Sequence, residues 1–146
     1  MKNESEKKYE SLFRSKKHLG SGSFGRVEKS LSKIDGKTYA VKLLENVETL
    51  FLDSIRSEAE AMMRAKSDYT VELLDHFYDE DLRTYIFVMP YYSKGNLSNF
   101  LDRVWSKLDI LCFMFQICQA FLSFTKKGGC WHLDLKPDNI LVKANG

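Results

Sequence analysis

Near the end of the chain, Asp134, Lys136 and Asn139 place a carboxylate, an ammonium and a carboxamide within the run His132-Leu133-Asp134-Leu135-Lys136-Pro137-Asp138-Asn139. Those groups suit phosphoryl transfer. The Asp134 carboxylate can accept a proton from an attacking hydroxyl, and the Lys136 ammonium can neutralise charge on a moving phosphoryl group. The Asn139 side-chain oxygen can ligate a metal ion.

A second set lies near the other end, where Gly20-Ser21-Gly22-Ser23-Phe24-Gly25-Arg26-Val27 spaces three glycines so that backbone N–H groups can reach phosphate oxygens with no side chain between. Dinucleotide-binding folds open with the same spacing, but there the third glycine leads into a helix and an acidic residue follows about 20 positions on. Here Val27 to Ser32 and Thr38 to Leu43 read as strands joined by an Asp35-Gly36 turn, and a lysine stands where that fold wants a carboxylate. Lys42, between apolar neighbours in Ala40-Val41-Lys42, needs a counter-charge.

That partner is sought on the following helix, Glu48 to Lys66. With Ile55 as origin and about 100° per residue, Phe51, Ala59 and Met62 fall within about 40°, Glu58 at about −60° and Glu60 at about 140°. Glu58 borders the face expected to be buried and is the expected partner; a solvated helix glutamate is the alternative. Val71 to Phe77 and Thr84 to Met89 read as strands around the acidic turn Asp79-Glu80-Asp81. They complete an α+β unit, a five-stranded antiparallel sheet with one helix. Ser106 to Lys126 predicts a long core helix, with one stripe through Ile110, Phe113, Ile117 and Phe121 and a second face at Leu111 and Phe115. Gly128-Gly129 ends it, and Ile140-Leu141-Val142 reads as a short strand.

Composition narrows the classes. With 44% apolar and 29% charged residues the chain reads as globular, and a net charge of +2 supplies no basic stripe for nucleic acid. The run Lys2 to Lys8 mixes both signs and reads as a solvated arm. Cys112, Cys118 and Cys130 show neither metal-ligand spacing nor an even count, which suits a reducing cytoplasm or nucleus. The most apolar stretch, Leu111 to Phe124, falls short of about 18 residues and is interrupted by Gln116, Gln119 and Ser123, which argues against a membrane span.

Taken in chain order, these motifs resemble the eukaryotic protein kinases: Gly-x-Gly-x-x-Gly-x-Val at Gly20 to Val27, Ala40-Val41-Lys42, Glu58-Ala59-Glu60-Ala61-Met62, and a catalytic loop from His132 to Asn139. Asp134-Leu135-Lys136-Pro137-Asp138-Asn139 resembles the serine/threonine version. Leu133 replaces the family's Arg, which implies uncoupling from a phosphorylated activation segment, and Pro90 stands where an acidic residue is usual.

The resemblance implies ATP and Mg²⁺ as cofactors and a protein bearing Ser or Thr as acceptor. Gly20, Ser21, Gly22, Ser23, Phe24 and Gly25 would cover the phosphates, with Lys42 held by Glu58. Val27 and Ala40 would lie above adenine and Leu141 below it, with Met89 limiting access behind the ring. The Pro90 carbonyl and Tyr92 backbone would read its edge. Asn96 would contact ribose or cap a helix. Asp134 would orient the acceptor hydroxyl, Lys136 would stabilise transferred phosphate, and Asn139 would bind Mg²⁺. The implied organisation is a charged arm at 1–12, a small lobe at 13–89, a hinge at 90–95 and the first part of a large lobe at 96–146. The sequence reaches Gly146 before an Asp-Phe-Gly, so this chain by itself is expected to be inactive. The alternative is a truncated kinase-like module that binds nucleotide weakly or pairs with another kinase. Neither nucleic acid nor a membrane is an expected partner.

Overall fold

A computed structural model of the chain describes residues 8–22, 25–129 and 134–144. They divide into two compact units, one running to Glu60 and including Leu73–Tyr91, the other containing Ala61–Glu72 and the chain from Tyr92 onward.

The first unit is built on five antiparallel strands, β1 Phe13–Gly22, β2 Gly25–Ser32, β3 Thr38–Leu44, β4 Asp75–Asp79 and β5 Thr84–Pro90, in the order β1-β2-β3-β5-β4. β3 and β5 lie inside the sheet, and β5 is buried on both faces from Thr84 to Val88. Edge strand β1 exposes Arg14, Lys17 and His18, which blunts it against further pairing. In the β2–β3 turn, Asp35 accepts hydrogen bonds from the Lys37 N–H at 3.1 Å and the Tyr39 hydroxyl at 2.7 Å. These bonds hold the Asp35 carboxyl at about 2. β4 starts later than the pattern at Val71 to Phe77 suggests; just ahead of it the Leu74 N–H already bonds the Val88 carbonyl at 2.8 Å.

Register sorts the strand residues onto two faces. Val27 opposes Lys42, Lys42 opposes Phe87, and Ala40 opposes Met89, so these side chains share one face. Val41, Leu43, Ile86 and Val88 alternate onto the other, where with Phe77, Tyr9 and Phe13 they form the main apolar cluster.

Tyr9 changes the boundary expected for the N-terminal arm. Tyr9–Leu12 form a helical turn, α1, and Tyr9 is buried against the sheet, stacked on Phe13 with ring centroids 5.8 Å apart. Its amide donates to the buried carboxylate of Asp79 at 2.7 Å, and its hydroxyl donates to Glu28 at 2.7 Å and lies 2.9 Å from Ser30. The arm reading rested on charge, and a buried tyrosine with a hydrogen-bonded hydroxyl outweighs the flanking lysines. Lys8 stays exposed and pairs with Asp81.

A one-turn helix Thr49–Phe51 leads into α2, Leu52–Arg64, close to the helix expected at Glu48 to Lys66. Its last turn and the following loop belong to the second unit. That unit also contains α3, Lys107–Ser123, continued by a π-helical turn Phe124–Gly128. Ser106 and Asp109 form a capping box at its start.

The core-helix expectation for α3 is not met among the described residues. Leu108, Leu111, Met114 and Phe115 are each more than half exposed, and only Ser123 is fully buried. Two apolar stripes need two packing partners, and the described residues cover one side in part. The length argument is corrected too, because Lys107–Gly128 is long and apolar enough to cross a membrane by length and composition. Gln116, Gln119 and the buried Ser123 interrupt its apolar run.

Candidate functional site

In the second unit, a single turn of 3₁₀ helix, Pro137–Asn139, brings the catalytic-loop side chains together. Proline at its first position presets φ for the turn, and the Asn139 N–H closes it on the Lys136 carbonyl at 2.9 Å. The Asn139 amide thereby swings back to donate to the Asp134 carbonyl at 2.8 Å and to Asp134 Oδ2 at 2.9 Å. Lys136 Nζ lies 2.8 Å from the same Oδ2. The Asp134 carboxylate accordingly keeps the Lys136 ammonium above its usual pKa. All three side chains are exposed, so they are open to a ligand.

Two further ties fix the loop. Ser98 donates to Asp138 at 2.9 Å, and the segment after the loop pairs with residues 95–97. The Leu97 N–H bonds the Ile140 carbonyl at 2.8 Å, the Val142 N–H bonds the Gly95 carbonyl at 2.9 Å, and Asn96 and Leu141 form an antiparallel bridge between them. The strand expected at Ile140 to Val142 is thus one bridge long. Asn96 precedes a short 3₁₀ helix, Leu97–Phe100, but makes no side-chain cap. Its Oδ1 is buried with no hydrogen-bond partner among the described residues, so the capping reading is not realised and an acceptor is left open.

In the first unit, Gly20, Gly22 and Gly25 lie on a tight hairpin, with Gly20 opposite Val27 and Gly22 opposite Gly25. The glycines differ in what they do. Gly25 has φ +116°, and a Cβ there would stand 2.0 Å from the Leu43 carbonyl oxygen, so the fold itself demands glycine. At Gly20 and Gly22 no atom of the described residues lies within 4 Å of a would-be Cβ. The fold leaves those two positions free, which is what close approach of a ligand to backbone N–H groups needs. Ser21 bonds His18 at 3.1 Å; Ser23 and Phe24 lie outside the described residues, as do His132 and Leu133.

Lys42 and Glu58 do not form the expected ion pair. Lys42 Nζ sits 5.9 Å from the centre of the Phe87 ring, Glu58 is exposed, and no ion pair joins them among the described residues. The wheel gave the right azimuth, but full burial of α2 begins only at Ala59. Asp53, Ser54, Ser57 and Glu58, one stretch nearer the N-terminus, face solvent. Angle around a helix says nothing about height along it. In the hinge segment the Tyr92 carbonyl accepts from the Gly95 N–H at 3.1 Å. Lys29, not singled out from the sequence, lies 4.4 Å over the Tyr91 ring. Register could have found it, since Lys29 opposes Ala40 on the face that carries Lys42.

Residues 13–146 match the protein kinase domain family, and the chain belongs to that family. It is 32% identical over 140 residues to an Aurora kinase of Schizosaccharomyces pombe, covering 92% of this chain and 39% of that one. A Wee1-like protein kinase of Arabidopsis thaliana is 33% identical over 141 residues, 93% of this chain and 28% of its own length. The human serine/threonine-protein kinase MRCK gamma is 30% identical over 136 residues, 89% of this chain and 9% of that protein. The chain thus spans between 9% and 39% of the length of these three relatives.

Proposed function

We propose that this chain supplies the nucleotide-binding strands and the catalytic loop of a kinase domain that transfers the γ-phosphoryl group of ATP to serine or threonine hydroxyls of proteins. The observation that carries it is the convergence of Lys136 and Asn139 on one oxygen of Asp134. A carboxylate beside an ammonium is what an acceptor hydroxyl and a transferring phosphoryl group require together.

The residues present fit the nucleotide and its metal. Gly20 and Gly22 leave space over their Cα atoms, and the buried Asn96 Oδ1 is an acceptor suited to a ribose hydroxyl. The Asn139 amide nitrogen is committed to Asp134, so Oδ1 is the atom turned to a cation. Mg²⁺, when bound, supplies neutralisation of phosphate charge. The protein's own part is positional. Asp134 orients the acceptor hydroxyl and takes its proton, Lys136 faces the negative charge of the moving group, and Lys42 holds the nucleotide phosphates. In the first unit Val27, Ala40 and Met89 would contact adenine and the Pro90 carbonyl would read its edge; in the second, Leu141 and the Tyr92 N–H are the groups the family pattern assigns to the same ring. Serine/threonine specificity is supported by Lys136 two residues after Asp134 and by the serine/threonine kinases among the relatives. The open Lys42–Glu58 pair fits a state in which α2 has yet to swing in, a movement that kinase activation controls.

Titration of the 146-residue chain with a fluorescent ATP analogue in Mg²⁺ tests the nucleotide half. Saturable binding displaced by ADP and weakened at least tenfold in Lys42→Met is expected, and no saturable binding would sink it. Transfer from labelled ATP to a serine peptide, lost in Asp134→Asn, tests the chemistry. The exposed apolar side of α3 favours a second reading, a module that binds nucleotide weakly and pairs with another kinase. Under it, ATP binding survives and transfer is absent until a partner is added.

A further inference from the structure

Away from the catalytic loop, the second unit holds a cleft of about 760 Å³ between the loop after α2 and the end of α3, within the size range of ligand sites. We propose that this cleft is a docking site for an acidic peptide segment, with carboxylates on Lys126 and Lys127 and an apolar side chain against Leu122 and Tyr69.

Charge state decides what the cleft can take. Lys66, Lys126, Lys127 and Lys143 line it, against the carboxylates of Asp68 and Glu72. Lys66 pairs with Glu72, and Lys143 donates to the Asp68 backbone carbonyl at 2.9 Å. Among the described residues Lys126 and Lys127 have no ion-pair partner, so two ammonium groups on one wall are left for a ligand. A helix C-terminus favours lysines by its dipole, but that field needs neither a concave surface nor two of them facing it.

The opposite wall is prepared rather than loose. Thr70 Oγ1 donates to the Ala65 carbonyl at 3.0 Å and accepts from the Ser67 N–H at 2.9 Å, and the Tyr69 N–H reaches Ser67 Oγ at 3.2 Å. The Tyr69 ring stands edge-on to Phe115, centroids 6.0 Å apart. A wall already ordered loses little entropy when a ligand binds. Tyr69 and Leu122 are both partly exposed and add apolar surface beside the charges. A free phosphate would use the lysines and ignore that surface, whereas an acidic peptide with one apolar residue uses both. A nucleic acid or an anionic bilayer needs a broader basic face, and here Asp68 and Glu72 interrupt it.

The test is fluorescence anisotropy with a labelled Ser-Glu-Glu-Leu-Glu-Glu-Ser peptide and the 146-residue chain. Saturable binding that weakens as salt rises, and that is at least tenfold weaker in both Lys126→Glu/Lys127→Glu and Lys126→Gln/Lys127→Gln, is expected. Leu122→Ser should weaken it severalfold. Lys42→Met and excess Mg-ATP should leave it unchanged, which separates this site from the nucleotide site. Equal binding of a peptide with Gln for every Glu, or unchanged binding by both lysine variants, would overturn the proposal. So would tighter, lysine-dependent binding of inorganic phosphate, a single-stranded oligonucleotide or phosphatidylserine vesicles.

Discussion

Replacing each glycine of the β1–β2 hairpin with alanine separates what the fold needs from what a nucleotide needs. At Gly25 an added methyl would stand 2.0 Å from the Leu43 carbonyl oxygen and 3.1 Å from the Leu44 Cα, both backbone atoms of the neighbouring strand. No side chain can rotate away, so β2 must lift from β3. The φ of +116° adds backbone strain of about 1–3 kcal/mol, and overpacking adds about 1–3 more. A loss of about 2–6 kcal/mol is a large part of a domain's net stability and should lower the melting temperature by roughly 10 °C or more. At Gly20 and Gly22 the space is open, so alanine should change stability by less than about 1 kcal/mol. Nucleotide binding should reverse the order of importance: Gly22→Ala keeps its melting curve but loses about tenfold in affinity, about 1.4 kcal/mol. Differential scanning fluorimetry with and without Mg-ATP reads both quantities. If Gly25→Ala melts like the parent, or if Gly20→Ala and Gly22→Ala melt early and bind nucleotide normally, the division of labour is wrong.

Four further outcomes are expected. Tyr9→Phe removes the hydroxyl that donates to Glu28 and should destabilise the chain by about 1–3 kcal/mol in urea unfolding. Burial pushes the Tyr9 phenol up to about 12, so its contribution is complete below pH 10 and disappears as pH rises to about 12. The phenylalanine variant should lose that alkaline limb, and retaining it would assign the limb elsewhere. For Glu28, burial opposes the charge, but hydrogen bonds from Arg26, Tyr9 and Ser15 outweigh it and hold the carboxyl below its usual range. Its stabilisation is present above the unfolded pKa and fades as pH falls through the folded one, more weakly in Arg26→Gln; an acid limb as deep in that variant would refute this. In a double-mutant cycle, Lys42→Met and Glu58→Gln should be additive within about 0.5 kcal/mol, because the pair is open; a coupling above about 1 kcal/mol would mean that it closes in solution. Light scattering should show self-association that falls when Leu111 and Phe115 become Glu, and a monodisperse parent chain would contradict the exposed apolar face.

Local chemistry was legible without coordinates. Glycine spacing, the Asp35-Gly36 turn and the alternating strands marked a sheet because turn and strand preferences act over a few residues. The match to the protein kinase family extends that reading from residue 13 onward. The clustering of Asp134, Lys136 and Asn139 was likewise written in their spacing, since a one-turn helix spans so short a run. Tertiary structure alone decided whether a side chain is covered. Tyr9 sits in a charged run yet completes the core, because Glu28, Ser30 and Asp79 reach it from strands far along the chain. Glu58 has a favourable azimuth yet stands in solvent, and the apolar stripes of α3 lie open, because burial depends on what another segment brings to that height. A periodic pattern states which face wants a partner; only the packed chain shows whether one arrives.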